Sequence, residues 1–155
     1  MKIIIEGIDG SGKTTLAHTL AQSCNTKYIH HSNPKSPSEF NDMLKMYKQE
    51  CSGKSSIIFD RAWYSEMAYG PVMRNTSAIS WPDMYSLETD IAKTGGLIIY
   101  CTGDPHIMFE AAHMRGEDYM KEYQLFLRVH QNFEKIMHAP HWIPVVTYKC
   151  PKYLF

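Results

Sequence analysis

The sequence has no surplus of charge on which recognition could run. Sixteen Lys and Arg residues balance sixteen Asp and Glu, so the basic excess that a long nucleic-acid footprint needs is missing, and neither sign collects in a tail. Extensive nucleic-acid binding is therefore not expected. No uninterrupted apolar stretch approaches the ~18 residues of a membrane span, and the first residues read as a strand rather than a charged segment ahead of an apolar one. The protein is expected to be soluble and cytoplasmic, with no membrane partner. The four cysteines, Cys24, Cys51, Cys101 and Cys150, contain no C-x-x-C pair. That argues against a zinc site or a dense disulfide framework and leaves reduced, mostly buried thiols. Histidines do not replace them as metal ligands: His30 and His31 are adjacent and point apart on a strand, and His138 and His141 straddle a proline. Neither an internal repeat nor a low-complexity tract is visible. What remains is 155 residues, 44% of them hydrophobic, which suits one domain with a real core.

Against these absences stands the stretch GIDGSGKT, Gly7 to Thr14, directly after the apolar run KIIIE. It fits G-x-x-x-x-G-K-[ST], in which the glycines let the backbone turn its N–H groups into an anion-binding nest. Lys13 then reaches the β- and γ-phosphates, Thr14 offers a hydroxyl to Mg²⁺, and a helix opening at about Lys13 points its positive end at the same anion. Gly10, Ser11, Gly12, Lys13, Thr14 and Thr15 are the candidate nucleotide-binding residues. ATP or GTP is the expected ligand.

The order of elements supports this placement. Apolar runs at residues 2–6, 28–31, 56–60, 97–102 and 143–148 alternate with helical patterns at 13–24, 39–51, 82–94, 105–114 and 119–137. Such βαβα alternation predicts an α/β fold, a five-stranded parallel sheet flanked by helices, with the nucleotide outside the carboxyl ends of the strands. The third strand ends in IIFDRAWYSEMAYG. Asp60 at that end is the natural second group on the Mg²⁺ side, directly or through water. Arg61 follows it, and a planar guanidinium beside a P-loop can grip a second phosphate.

Taken together, IIIEGIDGSGKTTLA and DRAWYSEMAYG resemble the thymidylate kinase family, over residues 1–24 and 56–70. The resemblance implies the nucleoside monophosphate kinase fold with a short mobile lid at about 113–121. It also implies transfer of the ATP γ-phosphoryl group to dTMP or a 5-substituted deoxyuridine monophosphate, with Mg²⁺. Asp9 becomes the P-loop carboxylate near the acceptor's sugar and phosphate, Arg61 the clamp on the acceptor phosphate, and Arg115 the lid arginine over the triphosphate. Ser65 and Tyr69, four apart, share a face if their stretch is helical, and Tyr119 corresponds to a tyrosine near bound thymidine. A homodimer is also implied, for which AWYSEMAY offers apolar helix surface.

Departures from the family pattern shape the expected base pocket. Ala62 and Gly70 replace an aromatic and a polar residue, and SNP at 32–34 replaces Arg-Glu-Pro, so Lys35 becomes a candidate for the lost phosphate-directed arginine. Asp118 stands where a further arginine belongs, and the helix bearing the base-stacking and base-reading residues is shortened. The whole looks like a compact, phage-type version of the family. Phe40, Trp63 and Tyr69 are the aromatic candidates for stacking in an open pocket without a polar reader. A deoxynucleoside kinase with Glu6 or Asp60 as base, a kinase for a nucleotide within DNA, and a nucleotide-binding switch are the alternatives.

Overall fold

Three consecutive isoleucines, Ile3, Ile4 and Ile5, demand apolar cover on both faces of their strand, and the computed structural model, which describes residues 1–116 and 119–149, supplies it. Strand β1 (Lys2–Glu6) is buried at every position. It lies at the centre of a parallel sheet between β3 (Ile57–Asp60) and β4 (Gly96–Thr102), with β2 (Lys27–His30) and β5 (Val145–Lys149) outside them, in the order β2-β3-β1-β4-β5. Because side chains alternate along a strand, Ile3 and Ile5 join Ile58 and Cys101 under Ala17 and Ala21 of α1 (Lys13–Ser23). Ile4, Phe59, Ile98 and Tyr100 face the larger core on the other side. That core is built with α2 (Pro37–Ser52), α3 (Trp63–Met73), α4 (Trp81–Ala92), α5 (Pro105–Met114) and α6 (Tyr123–Met137).

Local signals set the helix ends. The Ser36 hydroxyl accepts from the Glu39 N–H at 3.2 Å with Pro37 in the first turn, so α2 starts two residues before the expected Glu39. Ser80 and Asp83 form a reciprocal capping box at α4. Helix α6 begins at Tyr123 rather than at 119, leaving Tyr119 in a turn outside it.

Helix α3 corrects another expectation. Trp63, Tyr64, Ala68 and Tyr69 are 0–2% exposed, so AWYSEMAY is interior to this chain and offers no surface for a dimer. The Trp63 ring meets Tyr47 edge-on at 5.6 Å within the core and is not available to stack on a base. Cys51 and Cys101 are buried, Cys24 is exposed, and Cys150 lies outside the described residues. No helix among the described residues is long and apolar enough to cross a membrane.

A buried ion pair ties α4 to the segment before β5. Glu88, fully buried, accepts from the Tyr64 hydroxyl at 2.8 Å, from His141 Nδ1 at 2.7 Å and from the Trp142 N–H at 2.7 Å. The second His141 nitrogen, Nε2, lies 3.0 Å from the Ile136 carbonyl. Both ring nitrogens thus face acceptors, an arrangement only the imidazolium satisfies. Burial opposes that charge, but the hydrogen bond and charge of Glu88 prevail and raise the His141 pKa. The stabilisation is therefore fully present below the unfolded-state pKa and is lost as pH rises through the folded-state value. His141→Ala is expected to destabilise by about 3–5 kcal/mol at mildly acidic pH by leaving Glu88 unpaired. Thermal melts of both proteins as a function of pH should show the wild type's advantage shrinking as pH rises.

Candidate active site

The carboxyl ends of β1, β3 and β2 open into one cleft of about 310 Å³, lined by Asp9, Lys13, Thr14, His30, Ser32, Asn33, Arg61, Tyr69 and Tyr119. The P-loop between β1 and α1 forms its floor. Gly12 caps α1 in the left-handed region (φ 80°, ψ 4°), and the helix begins with Lys13. Gly10, at φ 78°, lies so close to α5 that a Cβ there would fall 1.9 Å from the Met108 carbonyl oxygen. Thr14 and Thr15 are exposed at the start of α1, while Ser11 is buried with its hydroxyl unpartnered among the described residues.

Asp9 is the hub of the cleft. Its carboxylate accepts from Arg61 Nη2, from the Tyr69 hydroxyl at 2.9 Å and from Lys13 Nζ at 3.4 Å. The Asp9 N–H donates back to the Tyr69 hydroxyl at 3.2 Å. Burial would raise the Asp9 pKa, but Arg61 first, then Lys13 and Tyr69, hold it below the usual carboxylate value. The Tyr69 phenol is pushed upward, chiefly by burial, and stays protonated. Its ring lies under the Arg61 guanidinium at 5.3 Å.

Arg61 is held in an uncommon backbone conformation, φ 70°, with its N–H donating to the Ile5 carbonyl at 3.0 Å. Beneath it, Glu6 is fully buried and takes three hydrogen bonds from the first turn of α3: the Ala62 N–H at 2.7 Å, the Ser65 N–H at 3.1 Å and the Ser65 hydroxyl at 2.6 Å. Burial nevertheless raises the Glu6 pKa above the ordinary value. Ser65 then meets Arg61 Nη1 at 3.4 Å. The pair expected to share a helix face therefore does so, with Ser65 reaching toward Glu6 and Tyr69 toward Asp9.

Asp60 is buried, and its Oδ2 accepts from the Tyr28 hydroxyl at 2.8 Å and pairs with His30 Nδ1 at 3.0 Å. Its Oδ1 makes no well-formed hydrogen bond. Burial works against ionisation here, yet Tyr28, His30, Thr14 and the Lys13 charge together lower the pKa.

Other sequence candidates fall elsewhere. The Phe40 ring lies 5.6 Å from the Arg74 guanidinium, away from the cleft lining. The Lys35 N–H donates to Glu39 Oε2 at 2.7 Å, and Lys35 does not line the cleft. Arg115 is the exposed C-cap of α5, likewise outside the lining, and Asp118 is outside the described residues. Tyr119 does line it, with its ring 6.1 Å from that of Tyr69. His30, Ser32 and Asn33 also line it, although the sequence marks 32–34 only as a departure from Arg-Glu-Pro and gives these three no substrate role. Their signal is position alone: they follow the end of β2, where His30 stands in register with Asp60.

The sheet order and the P-loop at the end of its central strand define the P-loop kinase fold. No protein-family profile and no curated protein sequence matches the chain. Among solved structures, the YorR protein of Bacillus subtilis, in complex with phosphorylated GDP, superposes with a TM-score of 0.79 at 19% identity, covering 100% of this chain and 88% of its own. Deoxyadenosine kinase from M. mycoides, with dCMP and dCDP bound, gives 0.60 at 17% identity, covering 100% and 92%. A gluconokinase from Sinorhizobium meliloti gives 0.64 at 16%, covering 97% and 84%. At these identities the fold is what is shared.

Gly10→Ala combines a disfavoured φ with a clash against backbone. The expected outcome is a loss of nucleotide affinity of about tenfold or more, read by fluorescence titration with an ATP analogue. A thermal melt lowered by only a few degrees would separate this from unfolding.

Proposed function

We propose that the protein is a deoxynucleoside monophosphate kinase that transfers the γ-phosphoryl group of ATP to the 5′-phosphate of the acceptor. The observation that carries this reading is Arg61, a second cation held across the cleft from Lys13 by Asp9 and Ser65. A P-loop lysine serves the donor; a guanidinium fixed opposite it fits the second phosphate of an acceptor.

The carboxylates argue for the same choice over a nucleoside kinase. A hydroxyl acceptor needs a base, and Asp9 and Glu6 are engaged by other groups, while the unpaired Oδ1 of Asp60 is better placed to serve a metal ion. Asp9 is held ionised by two cations, Glu6 is committed to the start of α3, and Asp60 carries Tyr28 and His30. A phosphate monoester is already ionised at neutral pH and needs no base. Catalysis would then rest on positioning and charge stabilisation. Lys13 and the P-loop amides orient the donor phosphates, and Arg61 orients the acceptor. Ser65 and Glu6 keep Arg61 in place, and Tyr69 and Tyr119 flank the acceptor's sugar. Thr14 and Asp60 fit Mg²⁺: a hydroxyl at the mouth of the P-loop and a buried carboxylate oxygen without a well-formed hydrogen bond. An ion held by these two residues would supply positive charge beside the donor phosphates. Arg115 and the segment around 113–121 would close over the donor as a short lid.

YorR with phosphorylated GDP and deoxyadenosine kinase with its products dCMP and dCDP support a small nucleotide or nucleoside substrate for this fold, and the second of them is the observation that keeps a nucleoside acceptor as the competing reading. The motif resemblance makes dTMP or a 5-substituted deoxyuridine monophosphate the first acceptor to try. A labelled-ATP assay across deoxynucleosides, their monophosphates and a short single-stranded oligonucleotide tests the reading, and phosphorylation of nucleosides in preference to monophosphates would refute it. Arg61→Ala is expected to lower kcat/KM for the monophosphate by roughly ten- to a hundredfold, the loss of a charge-assisted hydrogen-bond pair, while ATP affinity changes by less than about threefold. Equal losses on both sides would move Arg61 to the donor.

A further inference from the structure

The edge strand β2 reads KYIH, and Tyr28 and His30, two residues apart, leave it on the same face. Parallel pairing sets His30 opposite Asp60 and Tyr28 opposite Ile58, which puts them on the face that α1 covers. There the Tyr28 ring stacks on His18 of α1, with ring centroids 4.3 Å apart and planes at 22°. Strand and helix together fix where the Tyr28 hydroxyl points.

Two donors end on one oxygen. The Tyr28 hydroxyl donates to Asp60 Oδ2 at 2.8 Å, and His30 Nδ1 lies 3.0 Å from the same atom. An ionised carboxylate only accepts, so Nδ1 carries the proton here. Each carboxylate oxygen has about two lone-pair sites, and these two donors fill those of Oδ2. Oδ1 is left over. It belongs to a side chain that is 0% exposed, and it makes no well-formed hydrogen bond. A buried anionic oxygen in that state is unfavourable, and a cation that meets it relieves the penalty.

Which cation suits a single oxygen follows from coordination chemistry. Mg²⁺ demands octahedral geometry, keeps several waters and takes one or two carboxylates besides the substrate phosphates, whereas Ca²⁺ takes about six to eight oxygens and often grips a carboxylate by both. With Oδ2 occupied from β2, Asp60 has one oxygen to offer. That favours the smaller ion.

Resting on the donor half of the reading above, we propose that Tyr28 and His30 are positioning residues for the metal: they tie down Asp60 Oδ2, present Oδ1 alone to the cation, and thereby set a preference for Mg²⁺ over Ca²⁺. Both act through Asp60 and need no contact with the ion. Partners of this kind, one step behind a ligand, typically carry about ten- to a hundredfold in metal affinity.

The test is a fluorescence titration of the full-length protein with a non-hydrolysable ATP analogue in EDTA, in saturating Mg²⁺ and in saturating Ca²⁺. The tightening that each ion gives over EDTA reports its contact with the protein, and in the wild type Mg²⁺ should tighten binding more than Ca²⁺. Tyr28→Phe and His30→Ala should each reduce the Mg²⁺ effect by about tenfold and the Ca²⁺ effect by less, with affinity in EDTA changed by no more than about threefold. Asp60→Asn should erase the difference between the ions. Tyr28→Phe keeps the ring on His18, and the His30 side chain is 45% exposed, so thermal melts should find both variants folded, and either one alone decides the matter. Equal tightening by the two ions in the wild type, or a folded variant that keeps the wild-type ratio of Mg²⁺ to Ca²⁺ effects, overturns the proposal. An equal loss in EDTA, Mg²⁺ and Ca²⁺ marks a structural role only and overturns it too. A wild type that binds the analogue in none of the three conditions refutes the donor site and the proposal with it. No acceptor is present in these titrations, so phosphorylation of nucleosides in preference to monophosphates would refute the acceptor reading and leave this result standing.

Discussion

Two cations cannot be held a few ångströms apart in a half-buried cleft without an anion between them, and Asp9 is that anion. Lys13 and Arg61 come from opposite walls, one from the start of α1 and the other from the end of β3, and both reach the same carboxylate. Asp9 holds the two side chains facing inward. Phosphate oxygens, arriving with more charge and more acceptor sites, would compete for the same donors. A cleft built this way is organised before binding, which lowers the ordering entropy that binding must oppose.

Behind this surface arrangement lies a second carboxylate with a different task. Glu6, at the end of the central strand, satisfies otherwise orphaned donors in the first turn of α3 and thereby fixes where that helix begins. Arg61 precedes that turn in a left-handed conformation, so its direction follows from the position of α3 rather than from contacts of its own side chain alone. The Glu6 carboxylate thus links the buried sheet to the guanidinium at the cleft without touching any ligand.

What could be read from the sequence was what is local in it. The P-loop, the Asp-Arg pair and the alternating elements each occupy one short stretch, and the sheet formed from them as expected, with most strand and helix boundaries within about two residues. Tyr69, Tyr119, Asp9 and Arg61 line one cleft. Phe40 and Arg115 are not part of that lining: the Phe40 ring lies against Arg74, and Arg115 caps the end of α5. His30 and Asn33 were illegible because they reach the cleft only through the parallel register of β2 with β3. Trp63 and its neighbours misled in another way. A helix apolar on every side is a buried helix, and α3, packed on α6 and tied to β1 through Glu6, buries every residue from Trp63 to Gly70 except Ser65.

The contact between Gly10 and Met108 has a mechanical side. With no room for even one methyl group between the phosphate loop and the carbonyl of α5, the two behave as touching rigid bodies rather than as parts with play between them. A displacement of the loop toward the helix would press directly on α5, a ten-residue helix that ends at Met114. Arg115 follows the last residue of that helix, so a shift of α5 as a unit would carry the arginine with it.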